Sequence, residues 1–304
     1  MGRYVVKRIL LAVLTVFIIC AITFFAMHAI PGGPFNREKA LSEATIAALE
    51  ARYGLDKPLG EQFILYMKGV FIDHDFGVSL KNGRSINDII GESFPISARL
   101  GLSAMAVALV LGTVLGSTAA LMRNKWPDRL IVFMSTLFTA VPSFVLGSLL
   151  LLVFCIQLKW VPVWIAGSSN YVLPVIALAA YPMAYITRLS KTSMLDALSQ
   201  DYIRTARAKG VSRLKMIFKH ALRNSLIPVI TYTGPQIAYI ITGSMVIETI
   251  FTVGGLGSKF ISGITNRDYT LIMATTIFLA MLMVAANLIC DLLYKVVDPR
   301  IKFD

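Results

Sequence analysis

One stretch of the chain, DYIRTARAKGVSRLKMIFKHALRNSLIP, runs from Asp201 to Pro228 and gathers cations. Arg204, Arg207, Lys209, Arg213, Lys215, Lys219 and Arg223 stand there against a single acid, Asp201. A basic run of this kind can hold nucleic acid, lie on anionic headgroups, or dock on another protein. Elsewhere the types invite chemistry without assembling it. Cys20, Cys155 and Cys290 lie far apart in apolar runs, and His28, His74 and His220 are equally scattered. Neither set has a zinc or CxxC spacing, so no metal site is expected. Asp75-Phe76-Gly77 matches a kinase triplet, but no glycine-rich loop, HRD or partner lysine accompanies it. Gly254-Gly255-Leu256-Gly257 lacks the Lys-Ser/Thr end and the preceding strand of a phosphate loop, and reads as a sharp turn. Ser212 and Lys215 form an SxxK without its companion motifs. No Ser/His, paired Asp or HExxH constellation stands inside an apolar segment, so no catalytic residue is expected.

The elements that carry these residues are mostly apolar. Of 304 residues, 56% are hydrophobic and 15% charged, with a net charge of +12. The mean hydropathy is +0.71. Soluble domains are about 45–50% apolar and about 25% charged. A helix of roughly 20 apolar residues crosses a bilayer core. Six segments meet that length, at about 9–30, 97–122, 130–158, 172–186, 226–251 and 271–294. The fourth is short and contains Pro174 and Pro182. The first is too long for a signal-peptide core, and PGGP after it is a poor cleavage site, so it reads as a retained helix. The reading is an all-α membrane protein with six transmembrane helices.

Charge orients the spans. Lys and Arg number 18 on the side of the termini and of the basic stretch, and 10 on the other. The seven cations of the long loop between the first two spans are offset by nine acids, Glu38 to Glu92. Positive charge stays inside, which puts both termini and the basic stretch in the cytoplasm. The charge follows topology and lacks interleaved aromatics, which disfavours nucleic acid. The expected organisation is a tail and first helix over 1–30 and an extracytoplasmic cap over 31–95. A five-helix core follows over 96–294, with a cytoplasmic loop at 188–225, and then a tail over 295–304. Within the cap, SEATIAALEARYG reads as a helix with Ser42 at its start and Gly54 past its end, and KPLGEQFILYMKG as a second.

Gly210 divides the basic stretch. Before it, DYIRTARAK starts a short helix capped by Asp201; after it, Ser212 caps a second. On the second, Leu214, Ile217, Phe218, Ala221 and Leu222 share one stripe, the pattern of a helix lying on headgroups. The first half is different: Thr205, Ala206 and Ala208 are small and precede a glycine, which suits docking into a partner's groove.

This pattern resembles the cytoplasmic signature loop of type I ABC importer permeases, whose form is Glu-Ala-Ala, three residues, Gly and a later Pro. Here Arg204-Thr205-Ala206 stands for Glu-Ala-Ala, and Pro228 lies further on than in the sugar permeases. Both departures resemble the peptide/nickel branch. So do IPGGPF (Ile30–Phe35), YGLDKPLGEQF (Tyr53–Phe63), DFGVS (Asp75–Ser79), SFPISARLG (Ser93–Gly101), ITGSMVIETIFTVGGLG (Ile241–Gly257), NRDYTL (Asn266–Leu271) and DPRI (Asp298–Ile301). Within the branch the chain is most similar to the first permease subunit of an oligopeptide importer.

The resemblance implies the type I permease fold, with a small helical extracytoplasmic domain between helices 1 and 2, in a bacterial inner membrane. It implies a subunit that moves oligopeptides by alternating access; dipeptides, glutathione or nickel are the alternatives within the branch. Outside the branch stands a membrane scaffold with a lipid-binding basic loop. The implied partners are a second homologous permease, two cytoplasmic ATPases and an extracytoplasmic peptide-binding protein, besides peptide and membrane lipid. No GxxxxGK[ST] occurs in the chain, so ATP and Mg belong to the partner ATPases and no cofactor is expected here. Asp201, Tyr202, Arg204, Thr205, Ala206, Arg207, Ala208, Lys209 and Gly210 would form the coupling loop that meets an ATPase.

Three further features are singled out at membrane depth. Glu248 follows Ser244 and Met245 late in the fifth span, and a carboxylate there needs a cavity or a partner. Two readings stand: an outer gate or substrate path, or a structural role near the outer surface. Asp291 and Lys295 have i,i+4 spacing and read as an ion pair. Gly112 and Gly116 form GxxxG, which permits close helix contact.

Overall fold

The computed structural model of the protein describes residues 2–30, 54–162 and 170–297; for 2–5 and 291–297 the backbone alone is described. The expected helix from Ser42, the segments IPGGPF and DPRI beyond Ile30, and the side chains of Asp291 and Lys295 lie outside this. Among the described residues the regular elements are helical, apart from an isolated bridge between Val78 and Ser85.

Helix α1 spans Gly2–His28, and α2, Leu59–Lys68, is the second helix expected in the cap. Helix α3 spans Ile86–Leu121 and starts well before the expected span. Its first turns carry Ile86, Ile89 and Ile90, which pack on Leu256, Leu271 and Ala274. Helices α4 (Trp126–Ala140) and α5 (Ser143–Leu150) divide the expected third span. They meet at 102°. Pro142 is the cause: its ring excludes the preceding Val141 from helical backbone, and Val141 is extended at φ −81°, ψ 122°. A run of π-turns over Leu151–Gln157 completes the bent pair.

Helix α6, Val172–Ser199, extends well past the expected 186. Pro174 falls in its first turn, where no N–H is needed. Helix α7 is Asp201–Ala208, with Gln200 rather than Asp201 at the N-cap position. Arg213–Lys215 opens a helix that widens to π-turns over Met216–Leu222 and continues as α8, Arg223–Ile241. At 19 residues, with Pro228 and Pro235 inside, α8 takes the place of the expected fifth span. The remainder of that span is a separate helix, α9 (Met245–Ile250), set off by Gly243 at φ +93°. Helices α10 (Leu256–Asn266) and α11 (Tyr269–Val297) complete the order. Among the described residues, four helices are long and apolar enough to cross a bilayer, and the bent α4–α5 pair is a fifth.

The centre of the molecule is the crossing of α3 and α6. A Cβ on Gly112 would lie 2.8 Å from Ile186 Cγ2, and one on Gly116 would lie 2.3 Å from the Thr187 carbonyl. Only glycine lets the two backbones approach so closely, so the GxxxG spacing is the contact that it suggests. Leu100, Ala104 and Ala108 of α3, Val175, Ala179 and Ile186 of α6, and Val229 and Ile240 of α8 fill the core around it.

Candidate functional site

The basic loop is built on an apolar bed. Helix α7 turns Ile203 (1% exposed) and Ala206 (8%) inwards, three residues apart on one face. They join Ala120 at the end of α3, Met194 and Ala197 near the end of α6, and Met216, Ile217 and Ala221. Asp201, Tyr202, Arg204, Thr205, Arg207, Ala208, Lys209 and Gly210 are exposed. The loop therefore has two faces, and Ala206 belongs to the inner one; its smallness serves internal packing instead of an outward groove. The helix closes with the Val211 N–H donating to the Ala206 carbonyl at 3.1 Å and the Gly210 N–H to the Arg207 carbonyl at 3.0 Å. That pairing needs a left-handed residue at Gly210, which sits at φ +74° in open space. Asp201 pairs only loosely with Arg204, at 3.5 Å, with both side chains in solvent.

The following segment departs from the single stripe expected of it. Met216, Ile217 and Ala221 are buried, while Leu214 (69%) and Phe218 (64%) are exposed. The stripe divides along its length: Ile217 and Ala221, four apart, face the bed, whereas Leu214 and Phe218, four apart on the adjoining edge, face out. Beside this bed, Lys191 of α6 reaches Asp128 at the start of α4 at 2.5 Å, and the Asn124 N–H donates to the other carboxylate oxygen at 2.9 Å. The pair ties the α3–α4 turn to the lower part of α6.

The opposite end holds the other predicted group. Glu248 is completely buried. Its Oε1 accepts from Ser97 Oγ of α3 at 2.7 Å, and its Oε2 from the Ser258 N–H of α10 at 3.0 Å. The same Ser97 oxygen accepts from the Leu256 N–H at 2.8 Å. Glu248 thus caps the first turn of α10, where N–H groups lack partners and the helix dipole favours a carboxylate. The glycines of the GGLG turn make room: a Cβ on Gly255 would lie 2.5 Å from both Glu248 Oε2 and Ser97 Oγ. Ser244 caps α9 by accepting from the Ile247 N–H at 3.2 Å, and Met245 beside it is 37% exposed. Sequence reasoning found Glu248, Ser244, Met245 and the turn, but missed Ser97 and Ser258. The small serine within SFPISARLG is the available signal.

A second buried acid fastens the segment that precedes α3. Asp268, at the start of α11, accepts from Ser79 Oγ, from the Leu80 N–H at 3.2 Å and from the Leu271 N–H at 3.3 Å. Phe76 packs edge-on against Phe278 of α11, and its N–H donates to Asn87 of α3 at 2.9 Å. DFGVS and NRDYTL therefore meet in space, and the kinase-like triplet is a structural turn. No group of three or more His, Cys, Asp or Glu side chains among the described residues could hold a metal.

Residues 112–303 match the family described as binding-protein-dependent transport system inner membrane component, and residues 1–101 match its N-terminal membrane component. The chain belongs to this family. Among curated members of the binding-protein-dependent transport family, it is 45% identical to the dipeptide transport system permease protein DppB of Bacillus subtilis, over 99% of this chain and 98% of that one. It is 43% identical to the oligopeptide transport system permease protein OppB of Haemophilus influenzae and 41% identical to that of Escherichia coli, each over 100% of both chains. The solved structure titled "Crystal structure of an amino acid ABC transporter with histidines" matches with a TM-score of 0.52 at 14% identity, over 69% of this chain and 94% of that one. That likeness supports the type I ABC permease fold. Members of this transport family are inner membrane components, consistent with the apolar helices described above.

Proposed function

We propose that this chain is one of two permease subunits of an ATP-driven importer that takes oligopeptides from an extracytoplasmic binding protein into the cytoplasm. ATP and Mg are bound and hydrolysed on two partner ATPases, and a second, homologous permease completes the path. Both termini are cytoplasmic. Helix α7 is the coupling helix, and the exposed Leu214 and Phe218, flanked by Lys215 and Lys219, brace it on anionic headgroups.

The observation that carries the reading is the two-faced α7. Its charged face is outward and unengaged, while Ile203 and Ala206 lock its inner face to the ends of α3 and α6. A displacement imposed on α7 by closing ATPases is carried into the membrane helices through packed side chains, which deform little. At the outer end, Glu248 holds α3, α9 and α10 as one unit, and Met245 lies at the surface of that unit as its gate-facing residue.

The test is ATPase activity of the complete importer stimulated by peptide-loaded binding protein. Arg207→Glu reverses one outward charge of α7 and leaves the inner face untouched. The expected outcome is a normally assembled permease pair with the stimulated rate lowered about tenfold, a loss of about 1.4 kcal/mol in coupling. A fully stimulated rate in this variant would remove α7 from the coupling role.

A further inference from the structure

Helix α6 shows a polar face where a lipid-facing helix would be apolar. From Ala177 to Ser199 its exposed residues are Tyr181, Tyr185, Arg188, Thr192, Asp196 and Ser199. They follow at steps of four, three, four, four and three, which is one face of a helix. Every one is polar. The exposed face of α3 at similar depth is different, with Leu102, Val110, Leu111 and Val114. The α6 stripe runs about 27 Å at 1.5 Å per residue. Thr192 and Ser199 return their hydroxyls to backbone carbonyls of the same helix, but a polar face of such a length is not left against hydrocarbon; it lines water or a partner. Arg188 has no ion pair among the described residues.

Helix α8 continues the same surface. Its exposed Asn224, Pro228, Thr231, Pro235 and Tyr239 again follow helical steps, with the apolar Ile227 and Ile230 exposed beside them. The two stripes are joined where Tyr185 stacks on Tyr232, with ring centroids 4.3 Å apart and planes 25° from parallel. At the α7 end they open into a cleft of about 320 Å³, lined by Ser193, Asp196 and Ala197 of α6, by Gln200 at the start of α7, and by Asn224, Ile227 and Pro228 of α8. Tyr202 of α7 forms the lip of this cleft. A band of tyrosine faces and polar groups, with Arg188 and Asp196 on it and Ile227 at its edge, therefore leads from the middle of α6 to the coupling helix α7.

We propose that this band is the wall against which the peptide main chain travels in the inner half of the path, and that Tyr202 stands at its exit. This rests on the peptide-importer reading. Tyrosine fits such a wall because its ring takes apolar side chains of any shape, and its hydroxyl takes either a main-chain N–H or a carbonyl. Such contacts hold a peptide without choosing its sequence. With Tyr202 on α7, the helix that receives the ATPase stroke also moves the exit, so that opening to the cytoplasm and ATP turnover are coupled at one place.

The test uses the complete importer with a radiolabelled tripeptide. A photoreactive benzoylphenylalanine replaces Tyr181, Tyr185 or Thr192, with Val110 as the lipid-facing control. The expected result is peptide label on this chain at the three band positions, at least tenfold above Val110 and displaced by unlabelled peptide. Cross-links from the band only to the second permease, or only to lipid, would overturn the proposal and make the band a subunit interface or a lipid contact. Tyr185→Leu is expected to raise the KM for peptide uptake severalfold, and Tyr185→Phe to leave most of it intact; equal, unchanged KM values in both would also overturn it. Uptake by the unsubstituted importer separates the two ideas. Without peptide uptake the peptide-importer reading fails, whereas uptake with no label on the band defeats the band alone.

Discussion

Glu248 and Asp201 are both carboxylates near helix starts, and the molecule treats them oppositely. Glu248 has no exposed surface and binds Ser97 and the Ser258 N–H, partners drawn from two other helices. The Asp201 side chain is 95% exposed, with only a loose contact to Arg204. The end that holds Glu248 is therefore fixed by buried polar bonds between segments far apart in sequence. The end that holds α7 is fixed by apolar packing, and its charges stay in solvent. Buried polar bonds fix one geometry because each lost partner is costly. An apolar bed under a charged surface keeps an element attached while its outer face is free to engage another protein.

The sharpest way to break the contrast is at the outer end. Glu248→Ala leaves the Ser97 hydroxyl proton and the Ser258 N–H buried without an acceptor and is expected to cost about 4 kcal/mol; Glu248→Gln keeps one acceptor and costs about 2 kcal/mol. The measurement is the thermal unfolding midpoint of the purified permease pair in detergent. Equal midpoints for Ala and the unsubstituted chain would mean that the knot does not hold the outer end. Gly255→Ala tests the same place by volume, because its Cβ would lie 2.5 Å from Glu248 Oε2. Overpacking of this kind is expected to cost about 2–3 kcal/mol.

At the inner end, Ala206 and Arg207 are neighbours in sequence that face opposite ways. Ala206→Arg forces a cation into the cluster of Met194, Ile203 and Ala221, with an expected loss of about 2–3 kcal/mol and release of α7 from its bed. Limited proteolysis at 200–212 would report that release. Arg207→Glu, on the exposed face, is expected to change stability by less than about 0.5 kcal/mol while lowering coupling. If the two substitutions had the same signature, the division of α7 into an attached face and an engaged face would be wrong.

Much of this was legible in the chain, for stateable reasons. Hydropathy located the helices because bilayer length demands apolar runs, and GxxxG at Gly112 located the closest crossing because only small residues permit it. The bend at Pro142 was not read, because hydropathy runs through it unbroken from 130 to 158. The exposure of Leu214 and Phe218 was not read either, because an apolar stripe does not show which of its edges a neighbouring helix will cover. Glu248 was found as an acid out of place. Its partner Ser97 lies 151 residues away, and a lone serine in an apolar helix carries no local sign of that contact. The inward turn of Ala206 was readable in principle, since Ile203 and Ala206 are three apart. An alanine, however, looks the same whether its smallness serves a neighbouring helix or a partner protein.

The mildest prediction concerns the hinge between the two helices of the basic loop. Gly210 has space around it, so a methyl group meets no atom within 4 Å, and only its left-handed backbone at φ +74° resists substitution. Gly210→Ala is therefore expected to cost about 1 kcal/mol, the conformational penalty alone. Gly210→Pro goes further: it cannot adopt positive φ and has no N–H to donate to the Arg207 carbonyl, so the end of α7 opens. It tests the integrity of α7 as well as its coupling, and does not leave the loop folded. Comparison of the two variants by unfolding midpoint and by peptide-stimulated ATPase rate separates the effects. Alanine should lower the midpoint slightly and keep coupling, because α7 still rests on Ile203 and Ala206. If alanine instead abolishes coupling at full stability, the hinge itself is the engaged feature, and the exposed cations of α7 are secondary to it.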